Sequence, residues 1–308
     1  MKIVLLAPQF DSSEAWRAAF VAAIPEVELV DEAYSDVDRI EGAIVDEPPP
    51  GQLQQYPNLR FVLSLSAGVD ALLADATLPA VPIIRLANAE MAALMREYVS
   101  YHVLRLHREF AMLETLQRDR RWVWMPSAVP AASRRILVLG LGQLGTAAAT
   151  TLAALGFQVR GWSRTPKKIA HVECAVGLRS LYALLPETDI LVSILPLTSD
   201  TRDLLSDDVF RRLPKGASVI NVGRGGCLCH DDLLRALDSG HLAHATLDVF
   251  GVEPLPENDP LWCHPRVTIT PHIAAYPPPE TFIRPIADAI TRFRAGQAVP
   301  MVDRIKGY

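Results

Sequence analysis

Residues 135–154 read RILVLGLGQLGTAAATTLAA, and this stretch decides the fold. A short apolar run, typical of a buried strand, leads into Gly140, Gly142 and Gly145, and an alanine-rich segment typical of a helix follows. In this context the glycines allow a tight turn, a close approach of the backbone to a pyrophosphate, and close packing of helix on strand. The free N–H groups at the helix start would bind the phosphates. The stretch therefore predicts a dinucleotide site.

Apolar runs alternate with helical stretches on both sides of this turn. After residue 135 six apolar runs separated by helices predict a doubly wound parallel sheet, and before about residue 90 a similar alternation predicts a smaller α/β unit. A chain of 308 residues exceeds the roughly 150 residues typical of one domain. We expect an α/β fold with two Rossmann-like or flavodoxin-like domains and parallel sheets.

The helical stretch near the end of the sequence sets the expected domain order. Residues 279–294 follow the last strand of the second unit and would return to the first. We therefore expect a substrate (catalytic) domain made of residues 1–97 and 277–308. The dinucleotide-binding Rossmann domain, residues 98–276, would be inserted into it.

The segment between the two domains carries two further predictions. From Glu90 to Arg118 apolar residues recur at helical spacing without Gly or Pro, which predicts one long linking helix. The proline-punctuated stretch that follows contains Trp122 and Trp124 and is typical of a loop.

Composition argues against several classes of function. The net charge of −5 gives no overall attraction to nucleic acid or to anionic lipid, and the apolar run near the N-terminus is too short to span a bilayer. The four cysteines, at 174, 227, 229 and 263, lack the paired spacing of a zinc site. We expect reduced cysteines, no metal, and a cytoplasmic protein.

The residues after the second strand of the dinucleotide domain indicate which cofactor is bound. An Asp or Glu usually meets the ribose hydroxyls at this point, but the sequence here is Gly161-Trp162-Ser163-Arg164-Thr165. An Arg flanked by two hydroxyls can bind a 2′-phosphate through charge-assisted hydrogen bonds. Ser163, Arg164 and Thr165 therefore favour NADPH (NADP) over NADH.

Three later segments would supply the reacting groups. NVGRGG at 221–226, DVFGVEPL at 248–255 and TPHIA at 270–274 each follow a predicted strand, where open α/β sheets place their ligands. Reduction of a 2-keto acid by hydride develops negative charge on the carbonyl oxygen and then needs a proton. Arg224 would supply the cation, His272 the proton, and Glu253 would orient the imidazole and raise its pKa.

Six ordered motifs resemble the D-isomer-specific 2-hydroxyacid dehydrogenase family. They are SAGVD at 66–70, GLGQLG at 140–145, ILPLTSDTRDLL at 194–205, NVGRG at 221–225, DVFGVEPLP at 248–256 and TPHIA at 270–274. The resemblance implies that Arg224, Glu253 and His272 form a catalytic trio. It also implies that the backbone amides of Ala67 and Gly68 hold the substrate carboxylate.

The same resemblance implies the remaining contacts to the cofactor. Asp248 would face the nicotinamide carboxamide, and Met95 stands where a smaller residue often touches the nicotinamide. Besides Gly142, Gln143 and Leu144 at the turn, the cofactor contacts implied by the resemblance lie at Leu195, Pro196, Val222, Gly223 and Ala274.

Within the family, the chain is most similar to the glyoxylate/hydroxypyruvate reductase A type. The likeness rests on WSRT at 162–165, PLWCHPRVTITPH at 260–272 and DRIKGY at 303–308. It implies NADPH-dependent reduction of glyoxylate or hydroxypyruvate. It also implies that Trp122 or Trp124 closes a small substrate pocket and that the chain is a homodimer, with the 90–118 helix as an interface.

Two alternatives stay open at the level of sequence. A reductase for a bulkier 2-keto acid such as phenylpyruvate would share the same trio, because the sequence does not give the pocket shape. A dinucleotide-sensing, corepressor-like interaction protein would also keep the fold and the trio.

Overall fold

The computed structural model describes residues 1–7, 14–86, 88–124 and 129–307. The chain forms two compact units, one made of Met1–Ala89 and Pro277–Tyr308 and the other of Glu90–Tyr276. Along the chain, the second unit is thus inserted between the two segments of the first. The first segment ends at Ala89 rather than at residue 97, and the assignment of substrate and cofactor to the two units stays a prediction.

The first unit contains a parallel sheet with the strand order β2-β1-β3-β4-β5. This is the flavodoxin-like order. Its strands are β1 Lys2–Leu6, β2 Glu28–Val30, β3 Ile40–Val45, β4 Phe61–Ser64 and β5 Ile83–Arg85. Its helices are α1 Glu14–Ala23, α2 Asp70–Ala74 and α9 Ile283–Arg294. Phe61 in the sheet meets Phe293 of α9 with ring centroids 4.8 Å apart, so the returning C-terminal segment is packed on this sheet.

The second unit contains a parallel sheet of seven strands with the order β12-β11-β10-β9-β6-β7-β8. The strand order reverses between β9 and β6, as in a doubly wound fold. Its strands are β6 Arg135–Leu139, β7 Gln158–Ser163, β8 Val172–Val176, β9 Ile190–Ser193, β10 Ala217–Asn221, β11 Leu242–Leu247 and β12 Val267–Ile269. Its helices are α3 Ala89–His107, α4 Phe110–Arg118, α5 Gln143–Ala154, α6 Leu178–Leu184, α7 Asp207–Phe210 and α8 His230–Asp238.

Burial on both faces explains the continuous apolar runs of the central strands. Every residue of β9 and β10 is buried, as expected for parallel strands covered by helices on both sides. One apolar cluster packs α6, α7 and α8 residues on the sheet, and a second packs residues of α3 and α5. The sheet fixes the strand ends from which the site loops leave.

Strand β8 is absent from the six strands predicted for this unit. Its sequence, VECAV, has no apolar run, because it lies at the sheet edge and is only partly covered. Glu173 interrupts the short apolar run that would indicate a strand here. The prediction of six strands was therefore wrong by one edge strand.

The predicted single helix from Glu90 to Arg118 is also wrong. It is two helices, α3 ending at His107 and α4 beginning at Phe110, separated by Glu109 with φ 57°. A residue in this left-handed region ends the regular helical path, and no Gly or Pro marks the break in the sequence. Helix α3 buries Met95, Val99 and Val103 in the core, whereas α4 buries no residue.

Within residues 1–7, 14–86, 88–124 and 129–307, no helix is long and apolar enough to cross a bilayer. The same part of the chain holds no group of three or more His, Cys, Asp or Glu side chains placed to bind a metal ion.

Candidate active site

The three glycines after β6 are needed for different reasons. Gly140 has φ +94°, and a Cβ there would lie 2.6 Å from the Ile194 carbonyl oxygen. A Cβ on Gly145 would lie 1.7 Å from the carbonyl oxygen of Gly140. Packing within the protein therefore excludes a side chain at both positions.

Gly142 has no such requirement from the protein itself. Its φ of −72° and ψ of −165° suit any L-residue, and a Cβ there would have no atom within 4 Å. It is the N-cap of α5 without a side-chain cap, and it and Gln143 are exposed. Open space at an uncapped helix N-terminus fits a bound pyrophosphate, whose close approach would explain the glycine.

The end of β7 carries cations and lacks a carboxylate. Arg164, Thr165, Lys167 and Lys168 are exposed, and residues 161–168 include no Asp or Glu. The Ser163 hydroxyl is buried and donates to the Thr165 carbonyl oxygen at 2.7 Å, so its proton closes the turn and its lone pairs remain for accepting. The chemistry of this strand end suits a 2′-phosphate better than a free ribose diol.

A histidine–glutamate pair lies after the last two strands of this sheet. The distance from His272 Nδ1 to Glu253 Oε2 is 2.7 Å. The other carboxylate oxygen of Glu253 accepts from the backbone N–H of Phe250, also at 2.7 Å. Because a carboxylate only accepts, Nδ1 carries a proton and Nε2 is the imidazole atom left to exchange one. His272 has φ 55°, a backbone state that needs support from its surroundings.

The two partners shift each other's pKa toward the ion pair. The hydrogen bond to Glu253 raises the pKa of His272, against the opposing effects of burial and of Arg224. Burial alone would raise the pKa of Glu253, but hydrogen bonds from His272 and the Phe250 N–H bring it below its usual value. The pair therefore keeps an acidic imidazolium available near neutral pH.

Arg224 lies in a turn that glycines compress between two other loops. A Cβ on Gly223 would lie 2.5 Å from the Leu195 carbonyl oxygen, and a Cβ on Gly225 would lie 1.8 Å from the Phe250 carbonyl carbon. The Arg224 guanidinium donates to the Gly223 carbonyl oxygen at 3.0 Å. The glycines of NVGRGG thus bring the loops after β9, β10 and β11 together at the carboxyl edge of the sheet.

A protein family and a full-length relative are similar to this chain. A family model described as "D-isomer specific 2-hydroxyacid dehydrogenase, NAD binding domain" matches residues 100–274. The "Glyoxylate/hydroxypyruvate reductase A" of Serratia proteamaculans (strain 568) is 40% identical over 100% of both chains. The chain belongs to the D-isomer specific 2-hydroxyacid dehydrogenase family. The resemblance stated from the sequence motifs is thereby confirmed.

Solved structures of this family share the fold of the chain. A D-isomer specific 2-hydroxyacid dehydrogenase from Xanthobacter autotrophicus Py2, in complex with NADPH and MES, is 41% identical with a TM-score of 0.92. An NADPH-dependent glyoxylate/hydroxypyruvate reductase from Sinorhizobium meliloti, in complex with NADP and sulfate, is 34% identical with a TM-score of 0.92. Each alignment covers 100% of this chain and 99% of the other.

Asp248, which the family resemblance assigned to the nicotinamide, supports the histidine loop. Its side chain is 1% exposed. One carboxylate oxygen accepts from Thr270 Oγ1 at 2.6 Å and from the Ile273 N–H at 2.9 Å, and the other accepts from the Ala274 N–H at 2.9 Å. The Asp248 carbonyl oxygen accepts from the His272 N–H at 2.9 Å. Sequence reasoning missed this anchoring function and also missed Thr270.

The other residues predicted to contact the cofactor include two groups. Met95 is buried in the apolar cluster that also contains Val222 and Ala274. Leu195 is buried, and the Pro196 carbonyl oxygen accepts from Thr201 Oγ1 at 2.6 Å. These groups belong to the second unit.

The other residues predicted to contact the substrate are two in the first unit and two exposed tryptophans in the second. Ala67 and Gly68 are half-buried and follow β4 in the first unit. Trp122 and Trp124 are 85% and 86% exposed, with ring centroids 6.0 Å apart. The contact of either indole with substrate stays a prediction.

Proposed function

We propose that this chain reduces glyoxylate, hydroxypyruvate or another small 2-keto acid to the 2-hydroxy acid with NADPH. The observation that carries the proposal is the His272–Glu253 pair, fixed at 2.7 Å beside the loop of Arg224. The names of full-length relatives at 36–40% identity, all glyoxylate/hydroxypyruvate reductases A, support the substrate class.

The chain's residues would divide the reaction between charge and proton. Arg224 would lower the energy of the negative charge that develops on the carbonyl oxygen. His272 would hold a proton on Nε2 and deliver it to that oxygen, while Glu253 keeps the imidazole charged and oriented. The backbone amides of Ala67 and Gly68 would bind the substrate carboxylate. Bound NADPH would supply the hydride, so that one hydride and one proton convert the ketone to the alcohol.

The dinucleotide turn and the β7 end support NADPH as the cofactor. Gly142, Gln143 and Leu144 would receive the pyrophosphate at the uncapped start of α5. Arg164 and Thr165, with the lone pairs of Ser163, would bind the 2′-phosphate. The residues proposed to face the nicotinamide end are Met95, Leu195, Pro196, Val222, Gly223, Asp248 and Ala274. Solved relatives in complex with NADPH or NADP support the same preference.

The direct test is the loss of absorbance at 340 nm with purified protein. NADPH and NADH are each paired with glyoxylate, hydroxypyruvate, pyruvate and phenylpyruvate, and the His272→Asn variant controls for contaminating reductases. We expect turnover of the first two keto acids with NADPH. Turnover of phenylpyruvate alone would support a reductase for bulkier 2-keto acids. Tight NADPH binding without turnover of any of the four keto acids would support a dinucleotide-sensing interaction protein.

Exposed apolar residues and free cysteines bear on the oligomeric state and cellular location of the chain. We propose a cytoplasmic homodimer whose interface includes α4 and the two tryptophans. Phe110 and Met112 of α4 are 48% and 41% exposed, and a pair of neighbouring exposed indoles is typical of a protein interface. The four cysteines are free, in keeping with a reducing compartment. Light scattering should give the mass of a dimer, and Trp122→Ser with Trp124→Ser should lower it.

A further inference from the structure

A hydrogen-bond chain runs from helix α3 to the loop that carries His272. The Tyr98 hydroxyl lies 2.5 Å from Thr270 Oγ1, and Thr270 Oγ1 lies 2.6 Å from Asp248 Oδ1. Tyr98 and Thr270 are 172 positions apart in the sequence. All three residues belong to the second unit.

The direction of this chain follows from counting protons. A carboxylate only accepts, so the single hydroxyl proton of Thr270 points to Asp248. The lone pairs of Thr270 are then left for Tyr98, which must donate. Burial raises the pKa of Tyr98, so the phenol keeps its proton at working pH. The order is Tyr98 to Thr270 to Asp248.

The end of the chain holds the loop of His272. Besides Thr270, Asp248 binds the N–H groups of Ile273 and Ala274 through its carboxylate and that of His272 through its carbonyl oxygen. The loop has neither helix nor strand, and His272 has φ 55°. The Asp248 carboxylate therefore holds the loop on both sides of His272, at Thr270 before it and at Ile273 and Ala274 after it.

The start of the chain is anchored in the core. Helix α3 buries Val99 and Val103 on the sheet, and Tyr98 packs against the same cluster. The Tyr98 ring also packs against the ring of buried His102, with centroids 4.4 Å apart and the ring planes tilted by 45°. The phenol is thus a fixed donor.

We propose that Tyr98 and Thr270 are positioning residues for His272: they fix the Asp248 carboxylate and through it the loop that holds the imidazole against Glu253. This inference rests on the proposed function, in which His272 is the proton donor. Neither residue would touch the substrate. Their effect would reach the reaction only through the His272–Glu253 pair.

The expected signature is a change in the titration of His272. The charged groups around this imidazole are Glu253, Arg224 and Asp248, and the hydrogen bond to Glu253 is the main cause of the raised pKa. A looser loop would lengthen that bond, so the pKa of His272 would fall toward its ordinary value. We expect a decrease of about half a pH unit, the size of one weakened hydrogen bond.

The experiment compares Tyr98→Phe, Thr270→Val, Thr270→Ser and the Tyr98→Phe/Thr270→Val double variant. The control is Tyr101→Phe, which loses the same hydroxyl from the same helix at a residue that is 59% exposed. His272 is titrated by NMR of the imidazoles, assigned with His272→Asn. The pH profile of kcat/KM is measured in parallel, and melting temperature confirms folding.

Tyr98→Phe and Thr270→Val should each lower the His272 pKa and decrease kcat/KM about threefold above neutral pH, with unchanged Kd for NADPH. Thr270→Ser should restore wild-type behaviour, and the double variant should be no worse than the single ones, because all act through one chain. An unchanged His272 titration in Tyr98→Phe, or full additivity, would overturn the inference. The NMR titration needs no turnover, so an inactive wild type would refute the proposed function separately.

Discussion

The dinucleotide turn and the histidine loop are built in opposite ways. The turn after β6 depends on missing side-chain atoms: Gly140 and Gly145 are required by the protein's own packing, and Gly142 leaves space at an exposed helix start. The histidine loop depends on added contacts, with His272 held by Glu253 and Asp248. One region makes room for a ligand, and the other fixes a reactive group.

Because of this difference, we expect the two regions to respond differently to substitution. Filling space at the turn should affect cofactor binding, and removing a bond at the loop should affect the reaction rate or its pH dependence. Within the turn, the ligand-facing glycine can be separated from the packing glycines. Within the loop, the reacting group can be separated from those that hold it.

Loss of the imidazole is expected to have the largest effect. His272→Asn should decrease kcat/KM at least about 10²-fold, because the proton donor is removed while Asn tolerates the left-handed backbone at this position. Steady-state kinetics and NADPH titration measure the two properties. Near-normal turnover by His272→Asn would contradict the assignment of His272 to the reaction. Loss of NADPH binding with normal turnover per bound cofactor would contradict it as well.

A methyl group at the turn is expected to have the next largest effect. Gly142→Ala should weaken the binding of NADPH about tenfold, because the Cβ would occupy the space left for the pyrophosphate. The melting temperature should not change. The matched variant Gly145→Ala should instead destabilise the fold, because its Cβ would overlap the Gly140 carbonyl oxygen. Calorimetry and fluorescence titration measure both, and equal destabilisation by the two variants would contradict the assignment.

Removal of a cation from the β7 end should have a smaller and selective effect. Arg164→Ala should raise the Kd of NADPH about fivefold and leave that of NADH nearly unchanged, because only NADPH carries the 2′-phosphate. Arg160→Ala is the matched control, since Arg160 lies four residues earlier, within β7, where it forms ion pairs with Glu173 and Glu187. Equal losses for both cofactors in Arg164→Ala would refute the 2′-phosphate site.

Neutralising Glu253 should mainly shift the pH dependence. The pKa of His272 is raised first by Glu253, so activity in the reductive direction is present below that pKa and lost as the pH rises through it. In Glu253→Gln the imidazole loses the charge that favours its protonated form, and the alkaline limb of kcat/KM should move to lower pH by about one unit or less. A limb that moves upward would contradict the assignment of His272 as the acid.

The features that could be predicted from the sequence lie in short local segments. The glycine turn, Arg224, Glu253 and His272 lie in short motifs at strand ends, and the parallel alternation of strands and helices is confirmed. The sequence missed strand β8, because an edge strand lacks a fully apolar run. It also missed the helix break at Glu109, because no Gly or Pro marks it.

The hydrogen-bond support of the site was beyond prediction for a different reason. Tyr98 reads as one more helical residue and Thr270 as the residue before a proline. Their contact joins segments far apart in the chain, and only the folded sheet brings α3 beside the loop after β12. For the same reason Asp248 was predicted as a cofactor contact and not as the anchor of the loop.

The reaction expected of this chain is reduction of a small 2-keto acid with a hydride from NADPH and a proton from His272. The most direct measurement is product analysis after incubation with NADPH and hydroxypyruvate, with chiral chromatography of the glycerate formed. We expect D-glycerate in an amount equal to the NADPH consumed, and no glycerate with the His272→Asn variant. NADPH binding without glycerate, or formation of the L-isomer, would contradict it.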